Sequence, residues 1–106
     1  MTTDKFWRFN MSNPHEKCHE TKRLLKQGAR LVDVRSQHEF NAGALQGAIN
    51  HPVHWLSAGQ HLDDKETPGV VYCATGARSQ AAKQILQMAG FKEVHDLGGF
   101  QNIQFC

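Results

Sequence analysis

The sequence predicts an α/β domain built on a central, mostly parallel sheet. Apolar runs of strand length, ARLVDV and VVYC, alternate with segments whose apolar residues recur at helical spacing. Cap and turn residues separate the two kinds of segment. A chain of 106 residues suffices for one domain and is short for two, so residues 1–106 are read as a single unit.

Composition narrows the class. Hydrophobic residues make up 40% and charged residues 21%, a globular balance that excludes a disordered chain. The formal charge is +2 and the Lys and Arg are scattered, which excludes the basic stripe of a nucleic-acid binder. No run approaches the roughly 18 apolar residues of a membrane span, and the N-terminus lacks a signal-peptide core. The expected setting is the cytoplasm, without nucleic-acid or membrane partners. Cys18, Cys73 and Cys106 are odd in number and irregular in spacing, which suggests no disulfide framework and leaves a thiol for chemistry.

The elements follow in order. Residues 5–10 are short and aromatic and read as a first strand. Ser12 and Asn13 offer an N-cap ahead of Pro14, and the helix over 15–27 stops at Gly28. Residues 29–34 read as a buried strand ending in Asp33-Val34-Arg35. Ser36 and Glu39 have the spacing of a capping box, opening a short helix closed by Gly43. Residues 47–51 form a further short strand, and the polar stretch 63–69 contains a Pro68-Gly69 turn. Residues 70–73 are the clearest buried strand. Ala81, Ala82, Ile85, Leu86 and Ala89 recur at helical spacing up to Gly90, and Val94 lies in a last short strand before Leu97-Gly98-Gly99.

Ligands of such sheets bind beyond the carboxyl ends of the strands, and the best strand ends at Cys73. Cys73-Ala74-Thr75-Gly76-Ala77-Arg78-Ser79 joins that strand to an amphipathic helix. Small residues and a glycine let backbone amides converge, and a helix N-terminus adds unpaired donors and a positive dipole end. Negative charge on the Cys73 sulfur is favoured there, which makes it a nucleophile. Arg78 adds a permanent positive charge, and Ser79 a hydroxyl.

CATGARS resembles the active-site loop of the rhodaneses, and the likeness runs from about Ala29 to Phe100. LVDVRSQHEFNAGALQGAIN is similar to the family's stretch in which a DVR strand end precedes an acidic-aromatic pair and a Gly-Ala-Ile-Asn strand. VVYC, AAKQILQMAGF and EVHDLGGF follow in the family's order. The resemblance implies a compact, three-layer rhodanese-like domain, with four to five strands flanked by helices. It also implies a thiosulfate sulfurtransferase that needs no cofactor or metal. Cys73 would take sulfane sulfur from a small donor such as thiosulfate, hold it as a persulfide and pass it to cyanide, a thiol or a protein acceptor. Cys73 and Arg78 are then the catalytic residues, Ala74, Thr75, Gly76, Ala77 and Ser79 the persulfide-binding loop, and Asp33 and Arg35 supporting residues.

The resemblance also separates reaction classes. Rhodanese loops hold four residues between cysteine and arginine, whereas related cell-cycle phosphatases and arsenate reductases hold five. This loop has Ala74, Thr75, Gly76 and Ala77 in between, a cradle for one sulfur rather than a tetrahedral oxyanion. The loop contains no carboxylate or His to protonate an alkoxide, and sulfite leaves without such help. Two departures from the family pattern stand out: Ala44 precedes Leu45 where many members have His, and Phe100, Ile103 and Phe105 compete for the role of the aromatic after the LGG segment. Ala74, where a cation suits anionic thiosulfate, leaves the donor open.

Other readings compete with these. Cys73 with little turnover of its own would make the chain a persulfide carrier or protein-docking module. Asp33 and Arg35 read more readily as a structural ion pair and Glu39 as a cap, while Arg78 reads equally as a charge tying the loop to a carboxylate and as a contact for the donor. His15, Cys18 and His19 share a helix face and His51 and His54 are close, but neither group completes a four-ligand metal set. Cys18 and Cys106 read as bystanders, and Trp7 and Trp55 as core or rim aromatics.

Overall fold

The computed structural model describes residues 14–103. The strand expected over 5–10, the cap at Ser12 and Asn13, Trp7, Phe105 and Cys106 lie outside the described residues. Pro14 opens α1 (Pro14–Lys26), where a residue without an amide hydrogen forfeits no helical bond. Glu16 in its first turn and Arg23 and Lys26 in its last complement the helix dipole. Gly28, at φ 100°, turns the chain into β1 (Arg30–Asp33). Next come α2 (Gln37–Ala42), β2 (Ile49–Asn50), α3 (Val53–Ser57) and β3 (Gly69–Cys73), then α4 (Ala77–Met88), β4 (Val94–Gly99) and α5 (Phe100–Ile103).

The four strands lie in the order β2-β1-β3-β4, and every neighbouring pair is parallel. A helix intervenes between each strand and the next, as parallel pairing requires. Side chains along β3 alternate between the two faces. Val71 and Cys73, with Val32 and Val34, pack against Leu56 of α3 and Ala82 and Leu86 of α4. Val70 and Tyr72, with Leu31 and Leu97, pack against Leu24 of α1, with Phe100 at the margin. This is the three-layer α/β architecture expected. Because both faces are covered, β3 is apolar throughout rather than alternately polar.

Differences from the sequence reading are local. α3 has no counterpart there: five residues are too few to show a helical period, and it stands because Val53 and Leu56 turn one side to the core. β4 extends well past Val94, although HDLGG is a poor strand sequence, because β3 supplies its pairing partner up to Cys73↔Gly99. α4 begins at Ala77, two residues ahead of the start expected at Ser79, which puts Arg78 and Ser79 in its first turn. Among the described residues, no helix is long and apolar enough to cross a membrane.

Candidate active site

Parallel strands bring their carboxyl ends to one edge of the sheet, and Cys73 ends β3 there. The chain then turns within Ala74, Thr75 and Gly76 into α4. Gly76 caps the helix at φ 107°, a conformation that a side chain disfavours. The turn delivers two amides to the Cys73 sulfur: Gly76 N donates over 3.0 Å and Ser79 N over 3.2 Å. The thiol in turn donates to Ser79 Oγ at 3.5 Å, and Ser79 Oγ donates to the Gly76 carbonyl at 3.1 Å. Cys73 and Ser79 are both fully buried. The sulfur thus accepts from two backbone donors at the positive end of a helix. Ala74, Thr75 and Ala77 add no charged group and supply the backbone of the turn.

Gly99 seals the turn from the side. A Cβ there would lie 2.8 Å from the Ala74 carbonyl oxygen and 3.0 Å from the carbonyl carbon and Cα of Thr75. Real Cβ atoms do not approach backbone so closely, and neither neighbour is a side chain that can swing aside.

Arg78 does not stand free. Its Nη1 donates to Glu39 Oε1 at 2.7 Å and its Nη2 to Oε2 at 3.0 Å, the fork-to-fork geometry of a strong ion pair. Glu39 also completes the capping box: Ser36 N donates to Oε1 at 3.0 Å, and Glu39 N donates to Ser36 Oγ at 3.2 Å. Arg78 lowers the Glu39 carboxyl most, burial opposes this, and the Ser36 amide and hydroxyl reinforce it, bringing the group from 4.5 to about 2. A carboxyl lowered on folding stabilises the native state above its unfolded value and loses that contribution as pH falls through the folded one. The urea stabilities of wild type and Glu39→Gln should therefore differ by a constant amount above the ordinary value of 4.5 and converge toward pH about 2. A difference that persisted undiminished at the acid end would mean that the ionised pair is not its source.

Asp33 and Arg35 are brought to each other rather than to the sulfur. Arg35 Nη2 donates to Asp33 Oδ2 at 2.7 Å and to the Gly43 carbonyl at 2.6 Å, with Asp33 wholly buried and Arg35 nearly so. The Asn50 side-chain amide donates to the carbonyls of Asp33 and Arg35, at 3.0 Å each. The Arg35 guanidinium lies 4.5 Å from the Phe100 ring centre and 5.8 Å from that of Tyr72, and the two rings stack 6.0 Å apart. Burial, and then the Asp33 carboxylate, push the Tyr72 hydroxyl up to about 12, and it accepts from Leu45 N at 3.0 Å. This network underlies the opposite face of the sheet and fixes the edge from which the Cys73 loop springs. Phe100 thus takes the aromatic packing place; Phe105 and the Ile103 side chain lie outside the described ones.

The remaining candidates are dispersed. His51 bonds the Gln60 carbonyl at 2.6 Å and meets Trp55 edge-on at 5.3 Å, and His54 also meets that ring edge-on at 6.2 Å. Trp55 is accordingly a half-buried rim aromatic. Cys18 corrects the expectation of a bystander thiol: it is disulfide-bonded. Irregular spacing does not forbid a pair, because closure depends on where the fold carries each residue. Cys73 is the free cysteine among the described residues. Sequence reasoning therefore reached Cys73, Gly76, Arg78 and Ser79, which the fold assembles. It allowed a carboxylate partner for Arg78 without naming Glu39, and it missed Gly99 as the wall of the loop and Tyr72 and Asn50 beneath the edge. The Glu39 signal was present but absorbed by its role as a cap.

Comparison with known proteins identifies a family. The model of the rhodanese-like domain matches residues 17–105. The uncharacterized protein YqhL of Bacillus subtilis is 36% identical over 74 residues, covering 69% of this chain, which spans only 59% of that relative's length. The thiosulfate sulfurtransferase GlpE of Coxiella burnetii is 38% identical over 72 residues, 67% of each chain. Among solved structures, the human single-domain sulfurtransferase TSTD1 superposes with a TM-score of 0.69 at 29% identity, covering 78% of this chain and 88% of that one. With the family model matching most of its length and the cysteine loop at the strand end, the chain belongs to the rhodanese-like domain family.

Proposed function

We propose that this protein is a sulfurtransferase in which Cys73 carries sulfane sulfur as a persulfide from a small donor to a thiophilic acceptor. The observation that carries this reading is the Cys73 sulfur accepting from the Gly76 and Ser79 amides, at 3.0 and 3.2 Å, at a helix N-terminus. Those donors meet negative charge on sulfur without having to reorganise during the reaction. Relatives named thiosulfate sulfurtransferase support the same reading.

The steps balance simply. Cys73 gives up its thiol proton, through Ser79 Oγ or directly to water. The thiolate attacks the outer sulfur of thiosulfate; the new S–S bond forms as the old one breaks, and sulfite leaves with the electron pair. The persulfide carries the transferred charge into the turn, where the first-turn amides of α4 have no carbonyl within the helix to bond. Cyanide or a thiol then attacks the outer sulfur, and the Cys73 thiolate is released. Arg78 shapes the rim, the backbone from Ala74 to Ala77 forms the cradle, and Asp33 and Arg35 hold the sheet edge beneath it.

Intact mass after incubation with thiosulfate should show one added sulfur atom on Cys73, lost on adding cyanide with release of thiocyanate. The same preparation should leave phenyl phosphates unhydrolysed, because four intervening residues do not enclose a tetrahedral oxyanion. Phosphate release without thiocyanate formation would sink the reading. A persulfide that forms but passes to no small acceptor would make the chain a carrier.

A further inference from the structure

We infer that Glu39 is a specificity-determining residue: by clasping Arg78 at the rim of the Cys73 loop, it selects singly charged sulfur donors over dianionic ones. The inference rests on the sulfur-transfer reading above and names the donor class of the same site. Arg78 is the sole charged side chain in the stretch from Cys73 to Ser79. Its guanidinium is spoken for at both ends of its fork, by Glu39 oxygens at 2.7 and 3.0 Å. The other arginine at this edge, Arg35, is buried against Asp33 and the Gly43 carbonyl. Both arginines are therefore paired with a carboxylate.

The pair is only partly covered, with side-chain exposures of 38% for Arg78 and 34% for Glu39. An approaching donor therefore meets both partners. Its outer sulfur must reach a cysteine that is itself negative when reactive, so a dianion is repelled about twice as strongly as a monoanion. With Arg78 paired and a methyl group at Ala74, no unpaired cationic side chain in the loop from Cys73 to Ser79 offsets that difference. Removing the Glu39 charge frees a guanidinium whose planar fork suits the oxygens of a sulfonate.

Two donors of matched chemistry isolate the effect. Thiosulfate, a dianion, transfers its outer sulfur and releases sulfite. Methanethiosulfonate, a monoanion, transfers the same outer sulfur through the same bond exchange and releases methanesulfinate. For each donor, kcat/KM would be measured with cyanide as acceptor in wild type and in Glu39→Gln, a variant that retains an amide able to serve the capping box.

The ratio of thiosulfate to methanethiosulfonate activity should rise about five-fold in Glu39→Gln at low salt, mainly through KM for thiosulfate, and the gain should shrink toward nothing at 1 M salt. An unchanged ratio, or a gain that salt does not diminish, would overturn the inference and leave sulfur transfer standing. Absence of loading of wild-type Cys73 from either donor would instead overturn the sulfur-transfer reading. Wild type alone supplies a second measurement should the variant fold poorly. Its thiosulfate-to-methanethiosulfonate ratio should rise with added salt, because screening relieves the dianion more; a falling ratio would reveal a net cationic rim and overturn the inference.

Discussion

Cys73→Ser should abolish sulfur transfer, by at least about 10⁴-fold, while leaving the fold intact. The substitution exchanges sulfur for oxygen at a fully buried position in the core cluster of Val71, Ala82 and Leu86. The serine hydroxyl can accept from the Gly76 and Ser79 amides that now meet the sulfur. Its melting temperature should therefore stay within a few degrees of wild type. Chemistry differs because a hydroxyl is not appreciably ionised at neutral pH and forms no persulfide, so neither half-reaction proceeds. Mass spectrometry should show no added sulfur and assay no thiocyanate. Residual turnover within ten-fold of wild type, in a sample free of wild-type protein, would remove Cys73 from the mechanism.

What could be read without coordinates is what short range decides. The run of apolar residues into Cys73, the small residues after it and the capping pair Ser36 and Glu39 are local patterns, and each recurs in the fold as expected. Elements dictated by partners stayed hidden. β4 is a strand because β3 lies beside it, not because His95-Asp96-Leu97-Gly98-Gly99 prefers extension. α3 is too short to declare a period and exists by burying Leu56. In the site the same division holds. Arg78 stood out as a charge, but its union with Glu39 spans 39 residues and is set by the packing of α2 beside the loop. Tyr72 read as an ordinary strand residue, yet it faces away from Cys73 into the Asp33–Arg35 network. A sequence names the groups that can react; only the sheet decides which of them meet.

Gly99→Ala should cripple turnover without touching any reacting group. Gly99 pairs with Cys73 across β3 and β4, so its Cα lies against the turn that follows Cys73. Its own backbone is unremarkable and does not demand glycine, unlike that of Gly98 at φ 104°; what demands it is space. A methyl group would sit 2.8 Å from the Ala74 carbonyl oxygen and 3.0 Å from Thr75 backbone atoms, so either the loop or β4 must retreat. β4 is held along its length by β3 and by Val94 and Leu97 in the two cores, whereas Ala74 to Gly76 is a bare turn, so the loop moves. That shift carries the Gly76 amide away from the sulfur it now meets at 3.0 Å. Displacements approaching 1 Å at a reacting centre cost up to about 10²-fold, and a fall of 10- to 100-fold in kcat is the expected outcome. Alkylation of Cys73 should slow in parallel, since the sulfur loses a backbone donor, whereas a purely global loss of stability would expose the buried thiol and speed it. Gly99→Ala retaining wild-type kcat and wild-type alkylation would show that the turn absorbs the methyl group and that Gly99 does not position the cradle.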